Sequence, residues 1–297
     1  MNSLLEKLLG DSLRFEYQAG GIAPLRAGHS TGWRKLPGLM LSQAHRGAER
    51  IFLKGGRSVL ARTGEMIVLP AGVRHKVEVV GAREVRRWTH VNYFVQEGLD
   101  LFSLLDVPVL FARRLGTRLG ELIQERVARE RRDGADSPLV RAARESEFGF
   151  RVLGLLAAEC RPKAGLDRRL ENLDRLGPVV EHMRRNFRQP LYRDELARMA
   201  CLSPTQFHLA FRRATGASPI KFLEGIRLRR AQQLLIATGR KVSGIALECG
   251  YPDPYAFSKF FRRACGASPS EYRAMMADLA VSSSAAGTPP APRRAGA

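Results

Sequence analysis

The sequence predicts an α+β protein of two domains: a small N-terminal β-barrel, a helical linker, and a C-terminal all-α domain with two helix-turn-helix units. Three observations predict this fold. Strand-like runs fill the first third of the chain, helical periodicity begins near residue 111, and a repeat with an offset of 50 residues follows. The 297 residues are enough for two domains. We therefore divide the chain into residues 1–110, 111–171 and 172–276, with a tail at 277–297.

The first region contains short runs typical of β-strands, separated by glycine-containing turns such as Gly55-Gly56. Four of these runs are Glu49–Leu53, Ser58–Ala61, Met66–Leu69 and Lys76–Val80. Several short strands at close spacing favour a barrel or a sandwich.

The linker region has the pattern of two amphipathic helices. Apolar residues recur at intervals of three and four between Leu115 and Val127, which predicts a helix over 111–133. A second helix is expected over 137–160, because Ser137-Pro138 suits the N-cap and first helical position. Their apolar faces need a cover, either the barrel or a second subunit.

The most distinctive pattern is an internal repeat. FRRATGASP at 211–219 and FRRACGASP at 261–269 agree at eight of nine positions. A shorter helix precedes each copy, at about 194–200 and 242–249, and its alignment requires one extra residue in the second copy. Two helices joined by a tight turn form a helix-turn-helix, so the repeat predicts two such units.

Each repeat carries its own start and stop signals. Ser203 and Asp253 suit the N-cap of the second helix, and each is followed by proline. Gly216 and Gly266 suit the left-handed position that ends it. Residues 219–237 predict a joining helix of roughly 28 Å, close to the ~34 Å between successive major grooves on one face of DNA.

The charge distribution agrees with a polyanionic partner. The chain has a net charge of +20, and residues 172–276 hold 18 Lys and Arg against 8 Asp and Glu, half of the excess. Such a surplus is either a solvated surface or the footprint of nucleic acid.

Several other classes of protein are disfavoured by the sequence. The four cysteines are scattered, which predicts buried free thiols in a reducing cytosol. No apolar run is long enough to span a bilayer and residues 1–10 lack a signal-peptide pattern, so we expect a cytoplasmic protein. Phosphate-binding and nucleophile-elbow motifs are missing, and we expect no catalytic residue and no cofactor.

Residues 177–276 resemble the DNA-binding domain of the AraC/XylS family. The residues that carry the resemblance are Ile245-Ala246, Gly250-Tyr251, Phe257, Phe260-Phe261-Arg262-Arg263, Gly266, Ser268-Pro269 and Tyr272-Arg273. The resemblance implies a seven-helix domain that binds promoter DNA, usually as an activator that contacts RNA polymerase.

The resemblance also implies which residues bind DNA. The positions that match base-reading positions are Thr205, Gln206, His208, Leu209 and Arg212 in the first unit, and Tyr255, Ala256, Ser258, Lys259 and Arg262 in the second. Leu209 and Ala256 suit only apolar contact with a thymine methyl group, and His208 has the alternative of a surface histidine without a partner. Four further cations are better suited to phosphate, namely Arg213, Lys221, Lys241 and Arg263.

Residues 64–75 and 88–94 resemble the cupin-like sensor barrel of the same family. This implies a small-molecule effector and helices at 111–160 that form a homodimer. The candidate effector residues are Arg34, His45, His75, Trp88 and His90. Because the H-x-H pair of metal-binding cupins is missing, we expect no metal.

The sequence thus predicts a ligand-responsive transcriptional regulator, not an enzyme. Two alternatives stay open. One is a cupin enzyme fused to a DNA-binding domain, which would need bound metal and turnover. The other is a barrel that acts only as an interaction module, without an effector.

Overall fold

The computed structural model describes most of the chain as a sheet-rich N-terminal part followed by helices. The described residues are 9–10, 12–95, 99–130, 136–274 and 276–277. The tail predicted at 277–297 lies, from residue 278 onward, outside the described residues.

The N-terminal domain is antiparallel β-structure. Its strands and the short strand that follows the linker are β1 (Arg14–Arg26), β2 (Arg34–Lys35), β3 (Leu39–Leu53), β4 (Ser58–Ala61), β5 (Met66–Leu69), β6 (Arg74–Val95), β7 (Leu99–Asp100), β8 (Leu105–Asp106), β9 (Leu110–Phe111) and β10 (Arg161–Pro162). The predicted runs that became β4 and β5 have the predicted bounds. The other two predicted runs are parts of the much longer β3 and β6.

The main sheet has the strand order β1-β6-β3-β5-β9, and β6 pairs with both β1 and β3. The predicted sheet-rich N-terminal domain is confirmed, and within the described residues the end strands β1 and β9 do not pair with each other. Register shifts interrupt β3 around Gly47, whose φ is 94°. A Cβ there would lie 2.5 Å from the Arg83 carbonyl oxygen, so this bulge requires glycine.

The remaining elements are helical. They are α1 (Arg113–Glu130), α2 (Pro138–Ala157), α3 (Leu166–Arg185), α4 (Arg193–Met199), α5 (Pro204–Thr215), α6 (Pro219–Ala237), α7 (Val242–Glu248) and α8 (Pro254–Cys265), and a 3-10 helix spans Leu101–Leu104. The predicted linker helices are confirmed as α1 and α2, and the joining helix α6 has the predicted bounds. One helix, α3, crosses the predicted domain boundary between residues 171 and 172 without interruption.

The helices α1 and α2 pack against the sheet domain, which covers their apolar faces. Gln43 of β3 donates through Nε2 to the Gly116 carbonyl oxygen of α1 at 2.8 Å. Tyr93 of β6 donates through its hydroxyl to the Gly149 carbonyl oxygen of α2 at 2.6 Å. A Cβ at Gly149 would lie 2.4 Å from the Phe15 ring, so α2 lies very close to β1.

Both helix-turn-helix units share an apolar core with the sheet domain. One continuous cluster joins buried residues of β3, β6, α1 and α2 to Phe207 and Phe211 of the first unit. A second cluster joins Leu36, which follows β2, and Met40 of β3 to Tyr272 of the second unit. The DNA-binding half is therefore held on the sheet domain by two separate patches of core.

The turn between the two helices of each unit shows the expected extra residue. In the first unit Cys201 follows α4 with a φ of 53°, and in the second Gly250 follows α7 with a φ of 79°. Leu202 and Tyr251 come next, and only the second unit then has a further residue, Pro252, before its N-cap. A cysteine thus occupies the left-handed position that glycine occupies in the other copy.

Cys201→Gly is expected to stabilise the protein by about 0.5–1 kcal/mol, because glycine tolerates the left-handed region and the exposed thiol contributes little packing. Melting curves of the full-length protein measure the effect. Gly250→Ala is the control and should destabilise, since its Cβ would lie 2.7 Å from the Arg188 carbonyl oxygen. A lower melting temperature for Cys201→Gly would contradict this account of the turn.

Candidate functional site

The first candidate recognition helix, α5, is bounded by its own side chains. Ser203 accepts a hydrogen bond from the backbone N–H of Gln206, and the Gln206 side chain accepts one from the backbone N–H of Ser203, which forms a capping box. Gly216 ends the helix with a φ of 79°. Both signals agree with the sequence prediction.

The second candidate recognition helix, α8, has equivalent ends. The Asp253 carboxylate accepts hydrogen bonds from the backbone N–H groups of Tyr255 at 2.8 Å and Ala256 at 3.2 Å. Gly266 ends it with a φ of 84°. The two helices have 12 residues each, so the repeat in sequence is a repeat in structure.

Paired aromatic rings fix which face of each helix is buried. In the first unit the Phe211 ring packs edge-on against Phe222 of α6, with ring centroids 5.4 Å apart. In the second unit Phe261 packs edge-on against Tyr272, also at 5.4 Å. Phe222 and Tyr272 are themselves 50 residues apart, so the structural repeat extends beyond the nine-residue match.

The predicted DNA-binding residues of α5 and α8 lie on the face opposite the buried rings, and the two predicted lysines outside these helices are also exposed. Leu209 is 49% exposed and Tyr255 is 77% exposed. His208 and Ser258 are half-buried, and the Ser258 hydroxyl donates to the Pro254 carbonyl oxygen at 2.9 Å. The other exposed members of the set are Thr205, Gln206, Arg212, Arg213, Lys221, Lys241, Ala256, Lys259, Arg262 and Arg263.

The predicted phosphate-binding lysines lie at helix N-termini. Lys221 is in the first turn of α6, and Lys241 is the N-cap residue of α7. Free backbone N–H groups and the helix dipole favour anions at such ends. The two lysines are therefore placed where a phosphate group would also meet backbone donors.

The sheet domain brings together four of the five candidate effector residues. Arg34 of β2 pairs in register with His75 of β6, and the rings of Trp88 and His90 lie 5.0 Å apart. Burial lowers the pKa of His75 to about 4. Burial also lowers the pKa of His90 well below its usual value, and the nearby Arg34 acts in the same direction. Both imidazoles are thus neutral at pH 7.

The fifth candidate, His45, lies apart from this group. It lies at the register shift between Ala44 and Arg46 of β3, and like Gln43, which meets α1, it is close to the guanidinium of Arg87. Its Nε2 lies 3.4 Å from Nη2 of Arg87, and Arg87 also donates to Gln124 of α1.

A buried ionic cluster beside the histidines was missed by the sequence reasoning. The Arg86 Nε lies 2.7 Å from Oε2 of Glu49 and 3.0 Å from Oε1 of Glu84, and all three side chains are buried. Burial raises the pKa of Glu84 to about 7, and the nearby Glu49 adds to this. The period-two pattern of Glu84, Arg86, Trp88 and His90 along one strand was the available signal.

Some buried polar atoms of this region have no hydrogen-bond partner among the described residues. They include Arg34 Nε, His75 Nε2 and Glu49 Oε1. Since His75 is neutral and its Nδ1 lies 2.9 Å from the Val73 carbonyl oxygen, its Nε2 is left as an acceptor. Buried polar atoms without partners are uncommon and are characteristic of sites that receive water or a polar ligand.

Metal sites and membrane-spanning helices are two further features to consider. In the ranges that the structure covers, no cluster of three or more His, Cys, Asp and Glu side chains is arranged to hold a metal ion. No helix in those ranges combines the length and apolar character needed to cross a membrane.

A family model described as a helix-turn-helix domain matches residues 196–275. The match begins within α4 and ends beyond α8, so it covers both candidate recognition helices.

The curated relatives that match this chain are named as transcriptional regulators, several of them of operons. The lactose operon transcription activator of Staphylococcus xylosus is 33% identical over 95 residues, 32% of this chain and 34% of that protein. The transcriptional activator RhaS of Escherichia coli O139:H28 is 31% identical over 145 residues, 48% of this chain and 50% of that protein. The arabinose operon regulatory protein of Salmonella typhimurium is 24% identical over 248 residues, 80% of this chain and 84% of that protein. The matches to the first relatives cover only 30–44% of their length.

Among solved structures, ToxT from Vibrio cholerae aligns with 90% of this chain and 99% of its own, with a TM-score of 0.52 and 12% sequence identity. At this identity the likeness shows a common fold, an N-terminal sheet domain followed by helices.

The fold and the paired units define a two-domain helix-turn-helix protein. Its C-terminal half holds an AraC-type helix-turn-helix domain, as the sequence motifs predict.

Lys259→Ala and Arg262→Ala are each expected to weaken specific DNA binding about tenfold or more, through loss of contact with a base edge. Both side chains are exposed, so the melting temperature should stay nearly unchanged. Fluorescence anisotropy with a specific DNA site measures the affinity, and Arg57→Ala, an exposed arginine of the sheet domain, is the control. Wild-type affinity in both variants would mean that α8 does not read DNA with this face.

His75 is expected to make stability depend on pH. Because the folded pKa of about 4 lies below the ordinary 6.5, the unfolded chain binds an extra proton between these values, and the free energy of unfolding falls as pH falls through this window. His75→Gln should reduce that slope by at most about 1.4 kcal/mol per pH unit. Urea titrations between pH 4.5 and 7 measure it. An unaltered slope would show that His75 has the same pKa in the folded and the unfolded protein.

Proposed function

We propose that this protein is a sequence-specific DNA-binding transcriptional regulator that responds to a small molecule through its sheet domain. The observation that carries the proposal is the pair of equivalent units. Each presents a polar recognition face opposite a buried aromatic face, and both are joined by the continuous helix α6 of 19 residues. Two recognition helices at this separation suit successive major grooves on one face of the DNA.

The regulated output is transcription, in the cytoplasm, where promoter DNA is found. Curated relatives include proteins named as transcriptional activators. Activation through contact with RNA polymerase is therefore the mode that we propose.

The effector is proposed to bind at the polar region formed by Arg34, His75, Trp88 and His90. The support is the enclosed polar atoms without partners and the adjacent buried ions, since a polar ligand would complete hydrogen bonds that the described residues leave open. Thermal melts against small polar metabolites test this, because a ligand that binds the folded state raises the melting temperature by mass action. A sheet domain that serves only as an interaction module would give no shift with any compound.

A homodimer through α1 and α2 is part of the proposal. Leu139 is 79% exposed and Phe150 is 47% exposed on α2, while the inner faces of both helices are occupied by the sheet domain. Analytical ultracentrifugation of wild type and Phe150→Glu tests this arrangement, and a wild-type monomer at micromolar concentration would exclude it.

Capture of sheared genomic DNA by the purified full-length protein, at about physiological salt, tests the whole proposal. A shared motif of two blocks about one helical turn apart is the expected result. If the recovered DNA shares no motif, either with the purified protein alone or after cell extract is added, the protein binds DNA only nonspecifically.

Arg213→Ala is expected to weaken binding to specific and unrelated DNA by similar factors, because a phosphate contact carries no sequence information. The slope of log affinity against log salt should fall in magnitude by about 1. Anisotropy titrations between 50 and 200 mM salt, roughly the range over which phosphate contacts are resolved, measure it. An unaltered slope with lost specificity would instead make Arg213 a base-reading residue.

A further inference from the structure

Arg169 of α3 joins the sheet domain to the end of the first recognition helix. Its Nε donates to the Ala214 carbonyl oxygen at 2.7 Å, and its Nη1 donates to the Ser103 carbonyl oxygen at 3.2 Å. Ala214 is in the last turn of α5, and Ser103 is in the 3-10 helix of the sheet domain. One planar guanidinium therefore spans the two domains.

The contact supplies a hydrogen-bond donor to a helix carbonyl group that would otherwise lack one. The last four carbonyl groups of a helix have no partner within the helix, and Ala214 is one of them in α5. Arg169 is partly buried, and this burial lowers the pKa of its guanidinium. Hydrogen bonds from a charged, partly desolvated fork are stronger and more directional than exposed ones.

The 3-10 helix is itself firmly anchored. The Asp100 side chain caps it by accepting a hydrogen bond from the Phe102 backbone N–H at 3.0 Å, and Leu101, Phe102 and Leu104 are buried. The Ser103 carbonyl oxygen also accepts a hydrogen bond from Lys163 Nζ at 3.0 Å. A shift of this short helix would therefore move the anchor of Arg169.

A second contact joins the sheet domain to the same unit. The guanidinium of Arg229 in α6 lies 5.0 Å from the centroid of the Phe94 ring, close to the carboxylates of Asp100 and Glu16. Gln233, one turn further along α6, donates to Oε2 of Glu16 at 3.0 Å. Asp100 thus lies between the capped 3-10 helix and α6.

We infer that Arg169 is a positioning residue for the first recognition helix, and that the segment Asp100–Leu104 transmits the state of the sheet domain to α5 through it. The inference rests on the proposed function and adds its route of regulation. The proposed DNA motif has two blocks, one read by α5 and the other by α8. We expect recognition of the α5 block, and not of the α8 block, to depend on this contact.

Arg273 offers a matched control. It makes the same kind of two-carbonyl contact, with Nε 3.2 Å from the Leu235 carbonyl oxygen and Nη2 2.6 Å from the Arg240 carbonyl oxygen. Both acceptors lie within the DNA-binding region, so Arg273 does not involve the sheet domain.

The test uses full-length wild type, Arg169→Met, Arg169→Lys and Arg273→Met on the captured motif and on two derivatives in which one block is replaced. Arg169→Met should bind the intact motif about tenfold more weakly and lose discrimination at the α5 block by the same factor, with discrimination at the α8 block unchanged. Arg169→Lys should show a smaller loss in the same direction, because lysine lacks the fork. Arg273→Met should not show the selective loss at the α5 block.

Three results would overturn the inference: unchanged binding, an equal loss at both blocks, or a loss accompanied by a smaller salt slope, which would make Arg169 a phosphate contact. Failure of the wild type to select any motif is a failure of the proposed function and appears before any variant is compared. In that case hydrogen–deuterium exchange of the free protein decides. Arg169→Met should speed exchange at the end of α5 and at residues 101–104 but not in α8, and unchanged exchange in α5 would refute the positioning role.

Asp100→Asn tests the same proposed route by changing the cap of the 3-10 helix instead of Arg169. If the 3-10 helix and Arg169 act in one path, the double variant with Arg169→Met should lose no more discrimination at the α5 block than the more severe single variant. Losses that multiply would show that the two act independently and would overturn the relay.

Discussion

Each recognition helix is oriented by the edge-on contact between its buried phenylalanine and the aromatic ring of the helix that follows. Phe211 against Phe222 and Phe261 against Tyr272 have the same centroid separation of 5.4 Å. Burial of one large apolar side chain stabilises by roughly 1.5–3 kcal/mol, so rotation of the helix would be costly. The polar face is then the exposed one, because it lies on the side of the helix opposite these buried rings.

The sheet domain differs from the helix-turn-helix units, because ionic side chains and neutral histidines are buried inside it. Burial of a charge is expensive unless it is paired and hydrogen-bonded, and Arg86 meets that condition by bridging Glu49 and Glu84. Arg34 meets it only in part, since its Nε has no partner among the described residues, and Nε2 of the neutral His75 is likewise enclosed without a partner. A packed apolar interior would be simpler to stabilise, so the polar region suggests a ligand-related role.

The proposed regulation requires that these two regions communicate, and the structure offers physical contacts for this. Shared apolar clusters hold both units on the sheet domain. Apolar contacts are nondirectional, whereas the fork of Arg169 fixes one helix end relative to one carbonyl group. We therefore assign the directional part of the coupling to the hydrogen bonds and the overall attachment to the core.

The sequence by itself determined the elements whose signals are local. The capping residues Ser203 and Asp253, the left-handed glycines and the bounds of α6 were all predicted, because caps, turns and helical periodicity depend on neighbours within a few residues. It also predicted the AraC-type helix-turn-helix domain through the spacing of its motifs. Only the tertiary structure decided the open strand order, the grouping of Arg34 with His90 apart from His45, the buried Glu49–Arg86–Glu84 cluster and the bridge made by Arg169. These depend on long-range strand pairing, on the bulges that shift the register of β3, and on close packing of segments far apart in the chain, none of which leaves a local pattern.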